Sequence, residues 1–277
     1  MNDRSYLLIG GDTRQEYLYT ILKSKNANVE KIFLNETENL NESSKKISHS
    51  NIIVLPIPTT KDGLTLFSPN YKKKVTLDFI TEKIASDAIV FVGGETEIIK
   101  KCKSKNIINL LSNESLTLKN AMATAEATIS IIIENSPHTI FGAEILIIGY
   151  GRIGKILADY LLTLKANVSI CARKEIARTE AELMGANALD FETLITHLPK
   201  FSIIINTVPT LIFKKEELNK INKNALIVDL ASNPGGIDFE FADKIGIKTI
   251  HALSLPGKYS PKSAAEFIEQ AINNELI

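Results

Sequence analysis

One stretch constrains this chain more than any other: Glu144-Ile-Leu-Ile-Ile-Gly149-Tyr-Gly151-Arg-Ile-Gly154. A short apolar run leads into Gly-x-Gly-x-x-Gly, and a helix-period segment follows. A dinucleotide site needs that order. The first glycine allows the tight strand-to-helix turn, the second lets backbone approach a pyrophosphate, and the third lets helix and strand pack closely. The helix N-terminus then faces the anion. Three glycines alone are weak grounds; three glycines between a strand and a helix are strong ones. Ile153, Ile156, Leu157, Tyr160, Leu161 and Leu164 repeat at helical spacing, and 167–172 reads as the next strand. The competing reading is a glycine turn in an α/β fold that binds nothing.

The end of that second strand bears on the cofactor. NAD sites place a carboxylate there for the ribose 2′-hydroxyl, and NADP sites tend to place Arg for the 2′-phosphate. Here the strand ends in Ala172-Arg173-Lys174, with Arg178 one turn on and no carboxylate before Glu175. A planar guanidinium grips a phosphate in two-pronged fashion. NADP is therefore the expected cofactor, with NAD possible if the three bases are only a solvated helix start.

Other strand and helix signals organise the rest of the 277 residues. The part up to residue 118 alternates strands (6–10, 29–34, 52–57, 88–92) with helical segments, and 35–50 reads as a polar surface loop with a short helix. Lys72 to Lys74 read as a solvated face. Thr117 to Asn135 is a long helix that Pro137 stops. Beyond it, strands near 144–149, 167–172, 186–189, 202–206, 225–230 and 247–251 suit a doubly wound parallel sheet. Pro261 to Leu276 has a helical period. The expected architecture is two-domain α/β: an N-terminal α/β domain (1–118), a connecting helix (119–136), a Rossmann domain (137–260), and a last helix (261–277) packing back on the first domain.

Composition narrows the partners. With 32 basic and 32 acidic side chains the net charge is zero, which gives no electrostatic case for nucleic acid or an anionic membrane. The apolar runs are far too short to span a bilayer. Met1 to Ser5 lacks a signal-peptide pattern. Two distant cysteines, Cys102 and Cys171, give no disulfide framework and no metal spacing, so no metal is expected and the cytoplasm is the expected compartment.

In an open α/β sheet, ligands lie outside the carboxyl ends of the strands. That rule selects Asn206-Thr207-Val208-Pro209, then Leu230 to Asp238, then Ala252 to Lys258 with Leu255, Pro256 and Gly257 inside it. The first loop, Ala231 and Leu255 to Gly257 join Gly149, Gly151, Arg152, Ile153, Gly154, Arg173, Lys174 and Arg178 as expected cofactor contacts. Asp238 reads equally as an N-cap for the segment from Phe239. In the first domain the rule selects Gly10 to Arg14, Pro56 to Thr60, and Gly93 to Glu95. Arg14 beside Asp12 and Thr13 at a helix start suits a small carboxylate; alternatively Asp12 only caps the helix and Arg14 is solvated. No catalytic signature is present. His49, His138 and His197 are scattered. His251 follows the sixth strand, and Glu126 and Thr124 lie on the connecting helix. Hydride chemistry belongs to the cofactor, so a conspicuous acid–base pair is not required.

Four segments carry a family likeness: Gly10-Gly-Asp-Thr-Arg-Gln15, Gly149-Tyr-Gly-Arg-Ile-Gly154, Asp229-Leu-Ala-Ser-Asn-Pro-Gly-Gly236 with Asp238 and Phe239, and Leu255-Pro-Gly257 through Ser260-Pro-Lys262-Ser-Ala264. Together they resemble the A-subunit family of dipicolinate synthase over nearly the whole chain. The departures, Tyr150 and Ile153 where some relatives carry Leu and Thr, leave the fingerprint glycines intact. The resemblance implies oxidation of dihydrodipicolinate, or its hydrated precursor, to dipicolinate in the mother cell of a spore-forming bacterium. It implies the flavoprotein-like B subunit of dipicolinate synthase as partner, and a homo-oligomer is expected. A two-carboxylate substrate wants cationic or hydroxyl donors, and Arg14, Thr59, Thr60, Lys258, Ser260, Lys262 and Ser263 are the candidates by type and location; Asp12, Thr13, Asn233, Gly235 and Gly236, on the same loops, are expected substrate-side residues beside them. Lys258, Glu126 and His251 are candidates for catalysis. Two other readings stand beside this one: a dinucleotide-binding scaffold or sensor subunit of a flavin-dependent synthase, and another two-domain dehydrogenase of the shikimate or hydroxy-acid type.

Overall fold

The computed structural model describes residues 4–35, 39–94 and 96–276. The chain divides into two compact units, Met1–Asn120 with Ser260–Ile277, and Ala121–Tyr259. Each is an α/β layer built on a parallel sheet.

The first unit runs β1 (Ser5–Ile9), α1 (Thr13–Ser24), β2 (Asn28–Ile32), α2 (Leu40–His49), β3 (Ile52–Val54), α3 (Leu77–Thr81), β4 (Ile89–Val92), α4 (Glu97–Lys100) and β5 (Asn106–Asn109). The strand order is β2-β1-β3-β4-β5, parallel throughout. Successive side chains along a strand point to opposite faces, so the apolar runs feed two cores. Leu7, Ile9, Ile53, Val90 and Val92 pack with Ile47 and Ile80 on one face. Tyr6, Leu8, Ile52, Val54 and Phe91 pack on the other with Leu18 and Leu22 of α1. That second face also takes Ala265, Ile268 and Ile272 from the last helix of the chain, α12 (Pro261–Glu275). Each fully buried Leu or Ile among these contributes about 1.5–3 kcal/mol of burial. Lys25 and Glu269 close the α1–α12 contact with an ion pair at 2.6 Å. Pro261 is tolerated because the first helical N–H has no intrahelical partner to lose.

The long helix α5 (Glu114–Asn135) runs across the boundary between the units. The second unit then runs β6 (Glu144–Ile148), α6 (Arg152–Thr163), β7 (Asn167–Cys171), α7 (Glu175–Leu183), β8 (Asn187–Leu189), α8 (Leu194–His197), β9 (Ile203–Asn206), α9 (Lys215–Leu218), β10 (Leu226–Asp229), α10 (Phe239–Lys244), β11 (Lys248–His251) and α11 (Leu255–Tyr259). The order β11-β10-β9-β6-β7-β8 is parallel and reverses between β6 and β9. That reversal opens the crevice where dinucleotides bind in a doubly wound sheet. Ile145, Ile147, Ile170, Ile205 and Val228 face one core and Leu146, Ile148, Ile204 and Ile227 the other.

Two elements differ from the sequence reading. β5 escaped it because Asn-Ile-Ile-Asn, a sheet-edge strand, carries only two apolar residues. The helix expected within 35–50 runs over ten residues, Leu40–His49, capped by Asn39 with Ser43 and Ile47 buried. Leu255 to Lys258 belong to a helix, not a loop. Among the described residues no helix is long and apolar enough to cross a membrane.

Candidate functional site

In the second unit the chain leaves β6 at Gly149, whose φ of +94° disfavours any side chain. Gly149 N–H donates to the Cys171 carbonyl at 2.9 Å, which ties the turn to the end of β7. A Cβ on Gly154 would lie 2.3 Å from the Gly149 carbonyl oxygen, so only glycine lets α6 approach the strand. Gly151, the N-cap of α6, has no such neighbour; nothing lies within 4 Å of the space a Cβ would take. The cap residue is a glycine and brings no side chain of its own to the helix start, where backbone N–H groups point outward along the axis. The cradle thus has the shape and polarity that a pyrophosphate requires.

A groove of about 660 Å³ opens beside this turn. Gly149, Gly151, Arg173, Lys174 and the loop Thr207–Pro209 line it, as strand-end reasoning predicts. Tyr150, Cys171, Ala172, Ala177 and Phe191 line it too, and the sequence reading missed them. Phe191 was within reach of the same rule, since it follows β8. Tyr150 packs beneath Lys155, whose ammonium lies 5.2 Å from the ring centroid and 2.7 Å from Glu180. Burial pushes the Tyr150 hydroxyl above its ordinary pKa. Burial also pushes the Cys171 thiol up to about 12.

The basic cluster at the β7 end divides into two roles. Arg173 and Lys174 are exposed at the groove. Arg178 instead turns back, and its Nη1 donates to the carbonyls of Ala172 and Arg173, both at 2.9 Å. Arg152 is exposed at the start of α6, and Ile153 packs into the core.

The next loops are bound to one another. Thr207 Oγ1 donates to the Ile148 carbonyl at 2.8 Å. Asn206 is fully buried, so its amide does not face the groove; it donates to Asp229 Oδ1 at 2.8 Å and to the Val208 carbonyl at 3.0 Å. Asp229, also fully buried, accepts from Ala231 N–H at 3.0 Å and Gly236 N–H at 2.7 Å. Gly235 is buried in the same turn, and Asn233 is exposed at its tip. His251 stacks on Phe239 and donates Nε2–H to the Ala231 carbonyl at 2.9 Å, which fixes its tautomer. Asp238 does cap α10, accepting from Phe241 N–H at 3.0 Å. Lys258 is exposed on α11, beyond Leu255 (buried), Pro256 and Gly257 (half-buried). Glu126 is exposed on α5, where Thr124 is half-buried.

In the first unit, the polar candidates serve the fold more than sequence suggests. Asp12 caps α1 and also takes Arg14 Nε at 2.9 Å and Nη2 at 2.8 Å. Arg14 is buried and donates to the Ile57 carbonyl as well, so it is neither solvated nor presenting its whole fork to a ligand. Thr59 is buried; its hydroxyl accepts from Gly93 N–H at 2.8 Å and donates to the Pro56 carbonyl at 3.2 Å. Thr60 donates to Asp62 at 3.0 Å. The Thr65 hydroxyl, then the Thr65 and Leu64 N–H groups, hold the Asp62 carboxyl well below the usual carboxylate range. Thr13, Lys262 and Ser263 are exposed, and Ser260 is the half-buried N-cap of α12. Glu95 lies outside the described residues.

Comparison with known proteins extends this geometry. Residues 5–130 match the N-terminal domain of the dipicolinate synthase A subunit, and residues 120–234 match the NAD binding domain of D-isomer specific 2-hydroxyacid dehydrogenases. The A subunit of dipicolinate synthase from Bacillus subtilis is 29% identical over 97% of this chain and 94% of its own length. The crystal structure of the same protein from Bacillus halodurans superposes with a TM-score of 0.87 at 26% identity, covering 99% of this chain and 97% of that one. The Bacillus subtilis structure gives 0.86 at 26% identity over 100% and 96%. The second unit is thus a nicotinamide-dinucleotide-binding domain of the dehydrogenase type, consistent with a dinucleotide-dependent oxidoreductase. Along nearly its whole length the chain is similar to the A subunit of dipicolinate synthase.

Proposed function

We propose that this chain oxidises dihydrodipicolinate, or its hydrated precursor, to dipicolinate with NADP as hydride acceptor. The observation that carries the reading is the groove at the β6–α6 turn, with Arg173 and Lys174 at one end and Thr207–Pro209 at another, in a chain similar throughout to the dipicolinate synthase A subunit. The α6 N-terminus, with glycine at its cap, suits a pyrophosphate. Arg173 and Lys174 suit a ribose 2′-phosphate, and no carboxylate is among the described residues that line the groove with them. Val208 and Pro209 supply an apolar wall on the nicotinamide side. When bound, the dinucleotide supplies the hydride acceptor.

From dihydrodipicolinate the reaction takes a hydride and a proton from the dihydropyridine ring and leaves an aromatic product; the hydrated precursor loses one water first. Aromatisation drives the step, so water suffices as proton acceptor. Within the second unit, Asn233 and Lys258 are exposed donors for a substrate carboxylate, and within the first, Thr13, Lys262 and Ser263 are. The His251 ring has one nitrogen committed to Ala231, which leaves Nδ1 as its only acceptor. The activity belongs to sporulation, with a flavoprotein-like second subunit and self-association of this chain.

The test is to mix the purified chain with NADP and freshly generated dihydrodipicolinate, first without the second subunit and then with it. Dipicolinate formed by the chain alone supports the reading. Absence of turnover in both arms overturns it.

A further inference from the structure

Resting on the reading of the groove as a dinucleotide site, we propose that Asp229 is a positioning residue for its nicotinamide side, touching no ligand itself. The groove has two ends. One is built on β7, at Arg173 and Lys174; the other is the loop Thr207–Pro209 after β9. Asp229 belongs to neither. It ends β10, is fully buried, and accepts from three N–H donors, one at the end of β9 and two on the loop after β10: Asn206 Nδ2 at 2.8 Å, Ala231 N at 3.0 Å and Gly236 N at 2.7 Å.

The consequence falls on Val208. The Asn206 side chain holds both polar atoms of Val208's backbone: Nδ2 donates to its carbonyl at 3.0 Å, and Oδ1 accepts from its N–H at 3.1 Å. That arrangement works in one amide orientation only. A carboxylate at 229 enforces it, because an ionised carboxylate accepts and never donates. The same carboxylate holds Ala231, whose carbonyl takes the Nε2–H of His251 at the end of β11. One buried charge thus sets the loops after β9 and β10 and, through Ala231, the His251 ring. The bonds at the β7 end run separately, from Arg178 to Ala172 and Arg173. A buried carboxylate is costly unless every oxygen is satisfied, and here both are.

Asp229→Asn keeps the shape but turns one oxygen into a donor that must face a donor. The experiment is calorimetric titration of the full chain and this variant with NADP and with 2′,5′-ADP, which carries the adenosine half and the 2′-phosphate but no nicotinamide. The expected split is a loss of NADP affinity of about tenfold or more, the scale of one hydrogen bond to a charged group, with 2′,5′-ADP binding unchanged. A purely structural role gives no such split. Equal loss of both ligands, or loss of neither in a folded variant, overturns the proposal. Should Asp229→Asn not fold, Asn206→Ser is expected to give the same split, and its absence there overturns the proposal equally. If the unsubstituted chain binds neither NADP nor NAD, the dinucleotide reading itself falls, a result distinct from any effect of the variants.

Discussion

Arg178 Nη1 lies 2.9 Å from the carbonyl oxygen of Arg173, so one arginine holds the backbone that carries the other. The first is anchored and the second exposed at the groove. Their substitutions therefore have different outcomes.

Arg173→Ala is expected to weaken NADP by about 10- to 100-fold, the range for a charge-assisted bond, while NAD affinity stays nearly constant. Titration of both cofactors checks this. Equal loss for both, or no loss, removes the 2′-phosphate assignment.

Arg178→Met keeps the apolar stem but frees the Ala172 and Arg173 carbonyls. Stability is expected to fall by about 0.5–1.5 kcal/mol, read from denaturant unfolding. The preference for NADP over NAD falls as well, by less than in Arg173→Ala, because the Arg173 charge remains.

The fingerprint glycines separate folding from binding. Gly154→Ala forces a methyl to within 2.3 Å of the Gly149 carbonyl, so stability drops by about 1–3 kcal/mol, the scale of an overpacked core. Gly151→Ala meets nothing within 4 Å and has an extended backbone, so unfolding is unchanged while dinucleotide binding weakens. Thermal unfolding beside cofactor titration distinguishes the two.

These contrasts mark what the sequence could convey. The strands of the second unit were legible because β-branched runs such as Ile203–Ile205 sit between turn signals. β5 was not, since its two apolar residues make no pattern and its partner β4 defines it. The rule that ligands gather at strand carboxyl ends leads to Gly149, Arg173 and Thr207. It does not say which polar side chains there are already engaged. Arg178 bonds to backbone carbonyls, Asn206 to a carboxylate 23 residues away, and Thr59 to Gly93 N–H 34 residues away. Main-chain acceptors carry no residue identity, and such pairings exist only once the strands are side by side.

Cys171 titrates far above its ordinary value of 9.0, near 12, because burial disfavours the thiolate and Asp190 adds to it. Only the unfolded chain releases this proton near pH 9. The stabilisation is therefore whole below about pH 9 and fades as pH rises toward 12. Cys171→Ala is expected to flatten that alkaline loss, measured by urea unfolding across the window. A slope identical to that of the unsubstituted chain would falsify the assignment. The folded protein is also expected to resist thiol reagents at neutral pH, since both cysteines are buried.

The destination of the electrons tests the proposed activity most directly. Under anaerobic conditions, the purified chain is given NADP and dihydrodipicolinate with the second subunit withheld, and NADPH and dipicolinate are counted together. One NADPH per dipicolinate is expected. Dipicolinate that forms only when the flavoprotein-like partner is added, without NADPH, would contradict hydride transfer by this chain and leave its dinucleotide groove a binding role alone.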